Sequence, residues 1–398
     1  MQQRTEQGTG NGFYGLGIAP ALLEILARFR FTVPTPIQSQ AIPVAIQGKD
    51  IVGIAQTGTG KTLAFGVPMI QRLAQMKGQG LVVLPTRELA LQVDEMLRKV
   101  GQGLGLRTAV LIGGAAFGPQ VQALSHKPHI VIGTPGRIID HLERKNLGLT
   151  GARIVVLDEA DRMLDMGFLP QIQRIMHALP RERQTMLFSA TMPSEIMRMA
   201  ASYMKLPIRV EIAPTGTTVE RVTQEVFIVE REQKLTLLEK LLQAYQGSTL
   251  VFTRTKHGAQ RVAQQIRGMG VRASEIHSNR SLGQRKEALE GFKSGRYRVL
   301  VATDIASRGI DVKGIELVLN YDLPSSSDDY VHRIGRTARA GAGGHAITFA
   351  VPSEQREIRS IERLIRKTLP VGKLPAHPDI TLSEFPTRPF RPKLGEPR

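Results

Sequence analysis

The sequence predicts an α/β fold of two tandem domains, each a doubly wound parallel sheet, and three observations carry that reading. Short apolar, β-branched runs recur with helical stretches between them, at 51–55, 81–84, 108–112, 130–132, 154–157 and 186–188. They lack strict alternation, as strands buried on both faces do, and strand followed by helix in series gives a parallel sheet. The rhythm restarts at 226–229, 249–252, 299–302, 316–320 and 346–350, which places a second domain after the first. A chain of 398 residues is long enough for both to bury a core.

Residues 1–12 are polar and rich in Gln and Gly, without the basic-then-apolar pattern of a secretory signal, and predict a flexible start to a cytoplasmic protein. The first domain is expected over 13–212 and the second over 223–370. Residues 213–222 are polar and turn-rich, a linker, and 371–398 form a Pro-punctuated basic tail. No apolar run nears the roughly 20 residues of a membrane span. The absence of cysteine excludes disulfides, thiol catalysis and thiolate metal sites. The net charge of +18 points to a polyanionic partner. Residues 1–213 carry 23 basic against 15 acidic side chains and 214–398 carry 30 against 20, so both domains share the surplus.

The first strand runs into Ala55, Gln56, Thr57, Gly58, Thr59, Gly60, Lys61 and Thr62, and then into a helical stretch. A strand, a Gly-rich turn and a helix N-terminus present backbone N–H groups to phosphates. Lys61 is placed to neutralise the β and γ groups and Thr62 to hold Mg²⁺. Ala55 stands where the generic pattern has Gly, while the strand and helix context is complete. A second apolar strand ends in Asp158 and Glu159, which delivers both acids to the carboxyl edge of the sheet, where open α/β folds bind ligands. Asp158 is read as the partner of Thr62 on Mg²⁺, largely through water, and Glu159 as the group that orients or deprotonates the attacking water.

Asp158, Glu159, Ala160 and Asp161 spell D-E-A-D, and other motifs follow in order over residues 13 to about 342. On these the chain resembles the DEAD-box ATP-dependent RNA helicases of superfamily 2, in particular the minimal-core bacterial members of the RhlE type, which have two RecA-like, P-loop NTPase domains. The resemblance makes residues 30–38 a Q motif, with Phe31 and Gln38 at the nucleotide and Phe13 stacking on adenine. A glutamine amide donates and accepts at once, matching the adenine edge. In domain one the resemblance assigns RNA contact to Pro85, Thr86, Arg87, Gly113, Gly114, Thr134, Pro135, Gly136 and Arg137. Thr86 and Thr134 also read as helix starts, which expose N–H groups to phosphates. Ser189, Ala190 and Thr191 are implied to bond back to Asp161 and couple nucleotide state to the rest.

In domain two the resemblance gives RNA contacts at Thr253, Arg254, Gln284, Arg285 and Thr303, and a ribose contact at Asp311. His332 and Arg333 are implied in interdomain coupling. Arg336 and Arg339, three apart on a helical turn, are the implied arginine fingers for the γ-phosphate. Ala338 departs from the family, which usually has Gly there.

The parts imply RNA-stimulated hydrolysis of ATP with Mg²⁺, coupled to local unwinding of short duplexes or to remodelling of RNA–protein complexes, with little sequence specificity. The expected partners are single-stranded or short duplex RNA and RNP or degradosome-type proteins, with no membrane and a monomeric chain. A DNA helicase or translocase and an ATP-gated RNA clamp or annealing chaperone remain the alternatives.

Overall fold

The computed structural model describes residues 12–56, 58–212, 222–307, 312, 314–338 and 343–372, without the side chains of 305, 307 and 328. Thr57, Asp311, Arg339, the expected linker up to 221 and the tail from 373 lie outside the described residues. The chain divides into two compact units, Met1–Thr215 and Gly216–Arg398.

Among the described residues the first unit holds seven strands: β1 (Ile51–Ile54), β2 (Gln79–Val83), β3 (Thr108–Leu111), β4 (Ile130–Gly133), β5 (Ala152–Leu157), β6 (Gln184–Ser189) and β7 (Ile208–Glu211). Their order is β3-β4-β2-β5-β6-β1-β7 and every pairing is parallel. The second unit holds β8 (Val222–Ile228), β9 (Thr249–Thr253), β10 (Ala273–Ile276), β11 (Val299–Thr303), β12 (Leu317–Asn320) and β13 (Gly344–Ala350). These pair in the order β10-β11-β9-β12-β13-β8, again all parallel.

Central strands alternate their side chains between two covered faces. Val251, Val299 and Val301 pack with the helices Lys234–Ala244 and Lys256–Gly268, while Leu250, Phe252, Leu300 and Ala302 pack with the helix Leu282–Lys293 on the other side. This explains the continuous apolar runs. Two edge strands, β7 and β10, were not marked by such runs. Ile208-Arg209-Val210-Glu211 is largely exposed, and Ala273-Ser274-Glu275-Ile276 buries Glu275 between Arg267 and Arg280.

Because all strands in a sheet point one way, each strand's following loop leaves from the same edge. In the first unit the loops after β1, β5 and β6 carry the phosphate turn, the acids and Ser189 to Thr191. Those after β2, β3 and β4 carry Pro85 to Arg87, Gly113 with Gly114, and Thr134 to Arg137. Strand order therefore sorts the motifs into two neighbouring groups, β5-β6-β1 and β3-β4-β2.

The expected helix starts are present with different devices. The Thr86 hydroxyl accepts from Leu89 N at 3.3 Å and caps the helix Arg87–Val100. Thr134 precedes Pro135 at the first turn of the helix Pro135–Glu143, and its side chain makes no capping bond.

Ala338 sits at φ +54°, in the left-handed region. For an alanine this costs about 1–2 kcal/mol, and glycine pays for the same turn only with about 0.5–1 kcal/mol of extra unfolded-chain entropy. The substitution Ala338→Gly is therefore expected to stabilise the second unit by roughly 0.5–1 kcal/mol, read by hydrogen exchange of the β12 and β13 amides. Unchanged or faster exchange contradicts this.

Candidate functional site

The phosphate turn is held from beneath by the Q-motif glutamine. Gly58 and Gly60 adopt φ +86° and +89°, which lets the chain curl before the helix Lys61–Gln75 begins. Thr59 Oγ1 donates to Gln56 O at 2.7 Å, and the buried Lys61 ammonium donates to Ala55 O at 3.0 Å. Gln38 is buried; its Nε2 donates to Gly60 O at 3.0 Å and its Oε1 accepts from Thr35 N at 2.9 Å, just ahead of the helix Pro36–Ile46. A β-carbon on Gly60 would collide with the Gln38 amide, so glycine is required there twice over, by conformation and by contact. Phe13 is buried and Phe31 half-buried, with the Lys99 ammonium 6.0 Å from the Phe31 ring centroid. Thr62 is half-buried in the first helical turn.

Asp158 follows β5 and is anchored by its own N–H to Val83 O at 3.1 Å, while its Oδ1 accepts from Glu159 N at 2.9 Å. Burial first, opposed by the Lys61 charge and reinforced by Glu159, raises the Asp158 carboxyl from 3.8 to about 6. Glu159 is a non-glycine residue at φ +53°, buried, with its carboxylate 3.5 Å from the equally buried Arg162 guanidinium. Such a backbone costs about 1–2 kcal/mol and is characteristic of functional turns.

One carboxylate fastens the acids to the next strand. Asp161 Oδ2 accepts from Ala190 N at 3.0 Å, Thr191 N at 2.8 Å and Thr191 Oγ1 at 3.0 Å, and Asp161 N donates to Ser189 Oγ at 3.2 Å. Ser189 O in turn accepts from Ala55 N at 3.0 Å. The phosphate turn, the acids and Ser189 to Thr191 form one hydrogen-bonded unit.

In the neighbouring group, the Arg87 guanidinium lies against the Gly113-Gly114 turn, so closely that a β-carbon on Gly114 would clash with it. Gly114 adopts φ +73°. Arg137 Nη1 donates to Ala115 O at 3.2 Å and its Nε stands 3.4 Å from Asp140. Pro85 and Pro135 are buried, whereas Gly114 and Gly136 are exposed.

The second unit repeats the plan. Thr253 ends β9, its Oγ1 donating to Thr255 O at 3.3 Å, and Thr303 ends β11. The exposed Arg254 is fixed by its N–H to Asp322 Oδ2 at 3.0 Å. Gln284 closes a capping box with Ser281, and Arg285 beside it is buried. Arg333, expected in interdomain coupling, is committed within this unit. Its Nε and Nη2 donate to the two Asp304 oxygens at 2.6 and 2.7 Å, and Nη1 donates to Asn320 Oδ1 at 3.1 Å and Asp322 O at 2.7 Å. The guanidinium also lies 4.9 Å from the Phe252 ring centroid. His332 is half-buried in the last turn of the helix Ser327–Ile334, and Arg336 is buried just past it. Asp304 and Asp322, which position Arg333 and Arg254, were absent from the sequence assignment; their signal is an acid just beyond the end of β11 and of β12.

The sequence matches the DEAD/DEAH box helicase family over residues 35–199 and the helicase conserved C-terminal domain over 233–341. Among curated relatives, the ATP-dependent rRNA helicase RRP3 of Debaryomyces hansenii is 42% identical over 368 residues, 92% of this chain and 77% of that protein. The DEAD-box ATP-dependent RNA helicase CshA of Bacillus cereus is 42% identical over 360 residues, 90% of this chain and 68% of that one. Among solved structures, S. cerevisiae Dbp5 bound to RNA and ADP BeF3 aligns with TM-score 0.80 at 29% identity, covering 91% of this chain and 95% of its own. Mss116p bound to ssRNA and AMP-PNP gives TM-score 0.83 at 27% identity, covering 90% and 78%.

The raised Asp158 carboxyl makes a stability prediction. Its folded-state value lies above its ordinary one, so its contribution is favourable below about pH 4 and is lost as pH rises through about 6. Asparagine keeps an acceptor for Glu159 N without the buried charge. Asp158→Asn should therefore stabilise the first unit at pH 7 by up to about 3 kcal/mol, shrinking towards pH 4, in hydrogen exchange of the β1, β5 and β6 amides. A variant no more stable at pH 7 contradicts this.

Proposed function

The chain belongs to the DEAD-box family of ATP-dependent RNA helicases and is an ATP-hydrolysing enzyme, and we propose the following division of labour among its residues. Phe13, Phe31 and Gln38 receive the adenine. The N–H groups of residues 55–60 take the phosphates, with Lys61 exchanging the Ala55 carbonyl for a phosphate oxygen. Among the described residues no group of three or more His, Asp or Glu side chains could hold a metal ion. A buried carboxylate together with a hydroxyl nevertheless fits Mg²⁺, which usually takes one or two protein ligands and completes its shell with phosphates and water. Asp158 and Thr62 are that pair, and a cation beside Asp158 favours the charged form that burial disfavours. When bound, the ion neutralises charge on the phosphate oxygens.

Glu159 orients the attacking water and accepts its proton. RNA lies by its sugars and phosphates on Thr86, Arg87, Gly113, Gly114, Thr134, Gly136 and Arg137 of domain one and on Thr253, Arg254, Gln284, Arg285 and Thr303 of domain two. Contacts of this kind position a strand without reading its sequence. Arg336 and Arg339 are assigned the γ-phosphate and Asp311 the ribose, as the family resemblance implies, and RNA stimulates hydrolysis. The strained turn that carries Glu159, tied through Asp161 to Ser189, Ala190 and Thr191, carries this reading furthest, because it fixes the backbone of the acid at the end of β5. The full set of nucleotide and RNA motifs lies on one chain, which supports a monomer as the working unit.

In a test by substitution, Glu159→Gln is expected to reduce RNA-stimulated turnover by at least a hundredfold while retaining ATP-dependent binding of single-stranded RNA. Persistent turnover would remove Glu159 from the role, and loss of RNA binding together with turnover would mean that the substitution had damaged the site.

A further inference from the structure

The ring of Phe117 gathers charged residues of which only Arg137 has a role in the motifs above. Phe117 opens the helix Phe117–Ser125 shortly after the Gly113-Gly114 turn and is half-buried. Beneath it the fully buried His141 imidazole stacks with ring centroids 4.2 Å apart and planes 9° from parallel. The Arg144 guanidinium lies 4.6 Å from the Phe117 centroid and that of Arg137 lies 5.5 Å from it. Arg137 and Arg144 are seven residues apart, two turns along the helix Pro135–Glu143 and its C-cap, which puts both on one face.

The surroundings leave Arg144 available to an anion. Asp140 stands 3.4 Å from Arg137 and Glu143 pairs with Arg174 at 2.7 Å; among the described residues no carboxylate pairs with Arg144, which is exposed. Burial first, then the Arg137 charge, pushes the His141 imidazole below its ordinary range, against a smaller opposite pull from Asp140 and with a further push from Arg144. His141 is therefore uncharged at neutral pH and supports the ring without repelling the two guanidiniums. A guanidinium resting on an aromatic face has already lost much of its rotamer freedom, so an anion meets it partly ordered. The Arg137 bond to Ala115 O, 3.2 Å, joins this group to the Gly113-Gly114 turn.

We propose that Arg144, held on Phe117, is a further RNA contact of domain one. Its guanidinium takes a phosphate of the single strand next to the segment assigned to Gly113, Gly114 and Arg137. The inference rests on the RNA reading of that surface and lengthens it by one cation that no motif contains. Phe117 acts as the positioning residue.

The test is titration of a labelled single-stranded RNA against the full chain with a non-hydrolysable ATP analogue at several salt concentrations, with Arg87→Gln as the reference variant. Arg144→Gln is expected to bind several-fold more weakly, and its plot of log affinity against log salt to be shallower by about 0.7, the slope of one phosphate contact on a single strand. Arg144→Lys should keep the wild-type slope because the charge remains. Phe117→Leu should keep the slope and lose affinity because the guanidinium is no longer held. If Arg87→Gln lowers affinity and slope while Arg144→Gln matches the wild type in both, the proposal is wrong. If the wild-type chain itself fails to bind RNA, the reading beneath it falls as well.

Discussion

Every strand pairing in both sheets is parallel, and most of what the protein can do follows from that constraint. A parallel sheet sends all its strand ends to one edge, so loops far apart in sequence become neighbours without any loop being long. Strand order then decides which loops adjoin. In the first unit β1, β6 and β5 are consecutive, which puts the phosphate turn beside the acids; β2, β4 and β3 extend the same edge with the turns assigned to RNA. The second unit groups β9, β11 and β10 in the same way, and with them Thr253, Thr303 and the helix that carries Gln284 and Arg285.

Adjacent loops still need fixing, and each unit does it with one charged side chain. Asp161 uses a single carboxylate oxygen to hold the N–H groups of Ala190 and Thr191 and the Thr191 hydroxyl. Arg333 uses its fork to hold Asp304 after β11 and Asn320 and Asp322 at β12. Hydrogen bonds to charged groups are worth more than neutral ones, about 1.5–3 kcal/mol each, and the groups they satisfy would be costly to leave buried and unpaired. These clasps let a strained residue such as Glu159 persist where an isolated turn would relax.

Much of this was legible in the sequence, for identifiable reasons. The central strands announce themselves because both faces are buried, and the helix at Lys61 because Gly60 and the preceding glycine permit a turn that other residues resist. The edge strands β7 and β10 did not, since Arg209, Glu211, Ser274 and Glu275 interrupt the apolar signal where the sheet meets solvent or an ion pair. From the residues alone, side-chain partners were legible only when local; the bonds of Asp161 to Ser189, Ala190 and Thr191 were implied by the family resemblance. The Thr86 cap follows from a Thr just ahead of a helical stretch, whereas the bond from Gln38 to Gly60 and the clasp of Arg333 on Asp304 join residues 22 and 29 apart that share no periodic pattern. Ala338 was visible as a departure from glycine, but its significance depends on the backbone angle that only the structure supplies.

The central claim is that one edge of each sheet serves ATP and RNA together, so that the second ligand governs the chemistry done on the first. Steady-state ATPase activity addresses it most directly, measured without nucleic acid, with single-stranded RNA and with single-stranded DNA of the same sequence, and repeated with GTP. Strong stimulation by RNA alone, with ATP preferred over GTP, is the predicted result. Equal stimulation by DNA, or turnover indifferent to RNA, would contradict it.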